Sequence, residues 1–156
     1  MTPFRRNNPV RLTIHSGPYA FVLTLLLICA PLMGCTSQNN PAAETAATSP
    51  AKAWLELIDS KHYAESWDEA SEIFKSSIKR TGWNDTISGV RDLLGNIVTR
   101  EINSTEYRTE LPGAPDGEYI VFKFASSFAN KKSSEETLTL MLDDQDIWRA
   151  SEYYIK

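Results

Sequence analysis

A single thiol placed directly after a small residue carries the clearest chemistry in this chain. Leu32-Met33-Gly34-Cys35 closes an N-terminus that is first basic, through Arg5, Arg6 and Arg11, and then apolar, through Tyr19 to Ala30. That order is the layout of a cleavable export leader. The four residues look like a bacterial lipobox. On this reading the leader, residues 1–34, is removed and Cys35 is the lipid attachment site, taking a diacylglycerol and usually a third acyl chain. Met33 stands where a smaller residue is more usual. Two readings compete: an ordinary cysteine beside an ordinary cleavage site, and an uncleaved membrane anchor. Pro18 and Pro31 bracket the apolar run and leave it short of the roughly 20 residues that a crossing helix needs. Arg5-Arg6 is followed by Asn7-Asn8-Pro9 and not by the apolar residues of a twin-arginine signal.

Acylation at Cys35 has a physical consequence. Each buried methylene contributes about 0.8 kcal/mol, so one chain anchors marginally and two or more anchor stably. The membrane, reached through that lipid, is the expected partner. Thr36 stands where an Asp would favour retention at the inner membrane, so a periplasm-facing site in the cell envelope, on the outer membrane, is expected. The full chain carries 16 Lys and Arg against 20 Asp and Glu. Loss of residues 1–34 removes three arginines and no acid, leaving 13 basic against 20 acidic side chains, a charge of −7. Such a body does not suit nucleic acid, which selects a basic face, nor electrostatic docking on anionic lipid. Cys29 leaves with the leader and Cys35 is consumed by lipid, so no disulfide can form within the mature chain.

The remaining candidates for chemistry are few. His62 is the only mature histidine, and it lies beside a helix boundary. With no free thiol, zinc sites and Cys-His catalysis are not expected. Asp143-Asp144-Gln145-Asp146 lacks the glycine and distal glutamate of a calcium-binding EF-hand loop and reads as an acidic hairpin. Leu111-Pro112-Gly113-Ala114-Pro115-Asp116-Gly117 lacks the lysine and the strand–turn–helix setting of a phosphate loop, so it reads as a tight loop before a strand. No catalytic set, metal or cofactor is expected. A polar-aromatic sheet face built from Arg100, Tyr119, Lys123, Thr139, Arg149 and Tyr153 is the candidate binding surface, and one bulge would invert that assignment. Trp54, next to the segment that follows Cys35, is the expected exposed anchor, whereas Tyr63, Trp67, Trp83 and Trp148 are expected in the core.

The elements that must position these groups follow from periodicity. Residues 35–50 are small, polar and Pro-containing, and their composition predicts a flexible tether. Residues 51–156 then form a single α+β domain. A short first helix carries Trp54, Leu55, Leu57 and Ile58. A second carries Tyr63, Trp67, Ala70, Phe74 and Ile78 at three- and four-residue steps. Thr81-Gly82 breaks it, Asn84 or Asp85 caps a third helix, and Gly95 ends that one. Strands follow at Ile97–Glu110, Glu118–Phe128, Thr137–Leu142 and Ile147–Ile155. Ile120, Phe122, Phe124, Leu138 and Leu140 share one apolar face. The expectation is three N-terminal helices packed on a curved four-stranded antiparallel sheet.

Residues spread along the domain resemble a family of small bacterial exported proteins, domain of unknown function 4019. They are Trp54-Leu55, Ile58-Asp59, Tyr63-Ala64-Glu65-Ser66-Trp67, Trp83, Gly95, Arg100, the Leu111–Tyr119 stretch, Phe128-Ala129-Asn130-Lys131, Glu136-Thr137 and Trp148-Arg149. Glu152 departs from the pattern, in which a glycine precedes the last aromatic. The resemblance implies a helix–sheet order similar to the cone-shaped folds of the nuclear transport factor 2 and cystatin-like kind. It implies no activity, so function must be argued from a site. The expected role is a lipid-anchored protein-interaction or scaffold module of the envelope, with an envelope protein or a second copy as partner. The alternative is a small-ligand binder or a cone-fold hydrolase or isomerase.

Overall fold

Asn40 opens the first helix: its side chain accepts the Ala43 amide at 3.2 Å, and Pro41 supplies a pre-set φ at the first helical position. The computed structural model describes residues 39–156, so Cys35 and the leader lie outside the described residues. Helix α1 (Pro41–Asp59) buries Ala43, Ala47, Ala51, Trp54, Leu55 and Ile58 along one face. This corrects the expectation of a tether reaching to residue 50. Residues 41–50 are instead the first turns of α1, with Ala47 fully buried. Alanine is the strongest helix former, and its short side chain lets the helix axis approach the sheet closely. Low hydrophobicity therefore hides a packed stripe. Pro50 sits inside α1, where it leaves the Ala46 carbonyl without its i+4 amide donor.

The single second helix expected over Tyr63–Ile78 is two, α2 (Tyr63–Asp68) and α3 (Glu72–Ser77). Ser71 explains the break. Its side chain caps α3 by accepting the Phe74 amide, and its own amide donates to the Ala150 carbonyl on the last strand, at 2.9 Å. Helix α4 (Arg80–Leu94) begins earlier than Asn84, and Thr81-Gly82 lies inside it. The chain turns instead at Ile78 and Lys79, both extended, with Trp67 Nε1 donating to the Ile78 carbonyl at 2.8 Å. The described residues thus hold four helices before the sheet.

Strands β1 (Ile97–Arg108), β2 (Tyr119–Phe128), β3 (Lys131–Leu142) and β4 (Trp148–Ile155) form one antiparallel meander in the order β1-β2-β3-β4. The fold is α+β. Strand β3 starts well before Thr137, because residues 131–136 pair with the end of β2. Helix α1 crosses all four strands. Beneath it lie Ile120, Phe122, Phe124, Leu138 and Leu140, all buried, and Phe122 and Phe124 stack at 5.9 Å. Helices α2 and α4 pack on one another, and α3 runs beside β4.

Trp54 is only 4% exposed, which overturns its expected role as a surface anchor. Its ring meets Phe74, Trp83 and Tyr153 with centroids 6.1, 5.9 and 5.3 Å away, and its Nε1 donates to the Ser66 carbonyl. Trp83 Nε1 donates to Ser66 Oγ, so one serine satisfies two indoles within the cluster. Tyr63, Trp83 and Trp148 are buried, and Trp67 packs half-buried against the same core.

Candidate functional site

The last residue of α1 faces the start of the sheet, and a charged cluster forms there under the helices. Arg100 on β1 makes paired hydrogen bonds to two carboxylates. Its Nε and Nη2 donate to Glu136 Oε2 and Oε1 at 2.6 and 3.0 Å, and its Nη1 and Nη2 donate to Asp59 Oδ2 and Oδ1 at 2.6 and 3.0 Å. Arg91, four residues after Ile87 on the buried stripe of α4, donates from Nη2 to Asp59 Oδ1 at 2.8 Å and lies over the Phe128 ring at 4.9 Å. The Tyr153 and Ser126 hydroxyls donate to the two Glu136 oxygens. Two guanidinium groups thus balance two carboxylates, and Glu136 is wholly enclosed.

Electrostatics follows from this packing. Burial pushes the Glu136 carboxyl up, but the Arg100 hydrogen bonds and charge, helped by Ser126 and Tyr153, outweigh it and hold the group below the usual carboxylate range. Burial works against the Arg100 cation as well, yet Asp59 and Glu136 together raise its pKa further. Burial, then the neighbouring Glu136 charge, pushes the Tyr153 phenol well above its ordinary value. At neutral pH Glu136 is an ionised carboxylate clamped by Arg100, with the neutral Tyr153 phenol donating to it. Both Glu136 oxygens are taken, which suits bracing α1 to β1, β3 and β4 more than moving protons.

The six residues expected to share one sheet face do not share it. Arg100 and Tyr153 turn inward to the helix side. Tyr119, Lys123 and Thr139 point to the opposite side, as their register with one another shows. Two irregularities account for the split. A register shift between Ile102 and Ser104 leaves Asn103 unpaired, and another leaves Ser151 unpaired between Ala150 and Glu152. Without the second, Arg149 and Tyr153 would alternate onto one face; the extra residue flips Tyr153 under the helices. Arg149 lies at the rim, where its Nε donates to Asp143 Oδ2 at 2.6 Å and its Nη1 stands 3.6 Å from Glu69 Oε2. Tyr119 is buried beneath the Leu111–Gly117 loop and donates to the Pro115 carbonyl at 2.6 Å. Lys123 stands between Ser104 and Thr137 on the outer face.

Asp143 anchors its own turn, accepting the Gln145 and Ile147 amides at 2.9 Å as well as Arg149. Among the described residues no group of three or more His, Cys, Asp or Glu side chains is placed to hold a metal ion. An apolar cleft of about 350 Å³ runs between Pro50, Ala53, Trp54 and Leu57 of α1 and Trp148 and Ala150 of β4.

Sequence reasoning missed Asp59, Arg91, Ser126 and Glu136 as site residues. The signal for Glu136 was present: the alternation of Leu138, Leu140 and Leu142 extends backward onto it. Arg91 likewise continues the Trp83–Ile87 spacing. No curated protein matches the chain. The sequence profile of one family matches residues 50–153, most of the folded body and the whole sheet up to Tyr153. The chain belongs to that family, described as Protein of unknown function (DUF4019).

Proposed function

We propose that this chain is a lipid-anchored protein of the cell envelope whose folded body works as a protein-interaction or scaffold module. The observation that carries the reading is the saturation of the buried charges. Asp59 and Glu136, the carboxylates best placed to act as an enclosed base, are each held by arginine, so their free energy goes into bracing the fold. That leaves the surface as the working part. The lipobox-like Leu32–Cys35 supports the anchor, and Thr36 supports the outer membrane over the inner. The finer architecture we infer is a cone of the nuclear transport factor 2 and cystatin-like kind, with a curved sheet; the helices-first order and the helix cover on one sheet face support it.

A second reading, a small-ligand binder or a cone-fold hydrolase or isomerase, is favoured by the cleft between α1 and β4, whose two indoles would suit an apolar ligand.

Cys35→Ser tests the anchor. The wild-type chain should sediment with membranes, with a mature mass carrying at least two acyl chains and lacking residues 1–34. The variant should move to the soluble fraction. A variant that stays in the membrane, or a mature chain that keeps its leader, overturns the anchor. A strict monomer that crosslinks to nothing in intact envelopes overturns the interaction role.

A further inference from the structure

The chain carries two Asn-x-Thr tripeptides, Asn84-Asp85-Thr86 and Asn103-Ser104-Thr105, neither with proline in the middle. In an exported protein that tripeptide is an acceptor for sugar on the asparagine amide. The tripeptide is common, and the fold separates its two occurrences. Asn84 is half-buried inside α4, between the core residues Trp83 and Ile87, where the helix ladder fixes its backbone. Asn103 lies on β1 within a run of four exposed residues, Glu101 to Ser104.

The backbone at Asn103 is also the loosest part of the sheet. Strand β1 is an edge, with β2 on one side and no strand on the other among the described residues. On the β2 side Ile102 faces Phe124 and Ser104 faces Lys123, so Asn103 is the extra residue of a bulge and has no opposite number. A transferase can draw this segment toward itself without breaking a ladder on both sides, as it would have to in a central strand. Exposed Glu101, two residues ahead, offers a carboxylate by which a cationic groove can hold the segment; Gly82 stands at that place before Asn84. Asn103 lines a depression of about 380 Å³ with Ala125, Ser133, Glu135 and Lys156, which gives a first sugar room and polar partners for its hydroxyls.

We propose that Asn103 is a glycosylation site, taking an oligosaccharide from a polyprenyl-pyrophosphate donor after export. This rests on the reading of the chain as an envelope protein, because acceptor and donor meet outside the cytoplasm. In the transfer Asn103 Nδ2 forms a bond to the anomeric carbon of the first sugar. The bond from that carbon to the donor's phosphate oxygen breaks, and its electron pair leaves with the pyrophosphate. One Nδ2 proton passes to a carboxylate of the transferase, and nothing is oxidised or reduced.

Mass spectrometry of the full-length chain, purified from the envelopes of the cells that make it, tests the site. Trypsin cuts after Arg100 and Arg108 and releases Glu101 to Arg108 as one peptide, with Asn103 as its single asparagine. That peptide should carry a series of sugar masses. The mature chain should lose the same mass in Asn103→Gln and in Thr105→Ala, and keep it in Thr105→Ser and in Thr86→Ala. Circular dichroism checks that each variant folds. A bare peptide from a chain that lacks residues 1–34 overturns the site and leaves the export reading standing. A bare peptide from a chain that keeps its leader overturns both. Sugar on Asn84 in place of Asn103, or added mass that survives Thr105→Ala, also overturns the assignment.

Discussion

Arg100 is the side chain on which the largest local effect turns. Replacing it with methionine keeps volume but leaves Glu136 ionised among apolar neighbours, with only two hydroxyls to hold it. Removing one partner of a buried pair costs about 3–5 kcal/mol, so Arg100→Met should lower the urea midpoint at pH 7 by a large fraction of total stability. The pH profile carries a second readout. In the wild-type chain Glu136 sits below the usual range because Arg100 outweighs burial. The unfolded chain takes up its proton first, near pH 4.3, so the contribution is complete above that value and is lost as pH falls toward the folded pKa. In Arg100→Met burial is opposed only by the Ser126 and Tyr153 hydrogen bonds, so the Glu136 pKa should rise and the sign reverse. The gap between the two proteins should then narrow below about pH 4. Urea midpoints measured from pH 3 to 7 check both parts, and an unchanged midpoint at pH 7 would remove Arg100 from the brace. At this scale the sequence was half legible. Alternation predicts an inward Glu136, but nothing in residue types announces the unpaired Asn103 and Ser151 that turn Arg100 and Tyr153 inward.

Helix α1 shows how an element can escape composition. Its first half reads as a solvated tether because alanine, threonine and serine bury little surface each, yet Ala43, Ala47 and Ala51 repeat at four-residue steps. That spacing was the available signal, and Pro50 obscured it. Ala47→Asp places an unpaired carboxylate at a fully enclosed position and should cost about 3 kcal/mol or more. Ala46→Asp, one residue away on the exposed side, should stay within about 0.5 kcal/mol. Thermal unfolding followed by circular dichroism distinguishes the two; equal, negligible shifts would return residues 41–50 to a tether. The split of α2 from α3 was less legible, because the apolar spacing runs through it. Ser71 interrupts the helix for a tertiary reason, its amide bond to Ala150, which local pattern does not encode.

For the whole molecule, the α+β class and the meander were legible, since loosely alternating segments follow helical ones and dense turn chemistry separates β1 from β2. Which end of the body adjoins the proposed anchor was not, because it depends on residues 41–50 being the start of α1 and not a tether. With the proposed lipid at Cys35, the end of the sheet where Asn40 meets Tyr107, which also holds the Asp143–Asp146 turn, should lie nearer the membrane than the end of α4 and the β2–β3 turn. On the proposed processing, Cys29 would leave with the leader and Cys35 would carry lipid, so an introduced cysteine would be the only free thiol. A dye on Asp144→Cys should be strongly quenched by an acceptor in the lipid headgroups, and a dye on Lys132→Cys weakly. Equal quenching at the two sites would show a body lying flat.

The margin of β1 has no strand partner among the described residues, whereas on the far side of the sheet the Ser71 amide occupies one acceptor of β4, the Ala150 carbonyl. Open backbone donors and acceptors on an edge strand are a template for a neighbouring strand. Two molecules meeting β1 to β1 would exhaust that margin's valence and stop there at a couple.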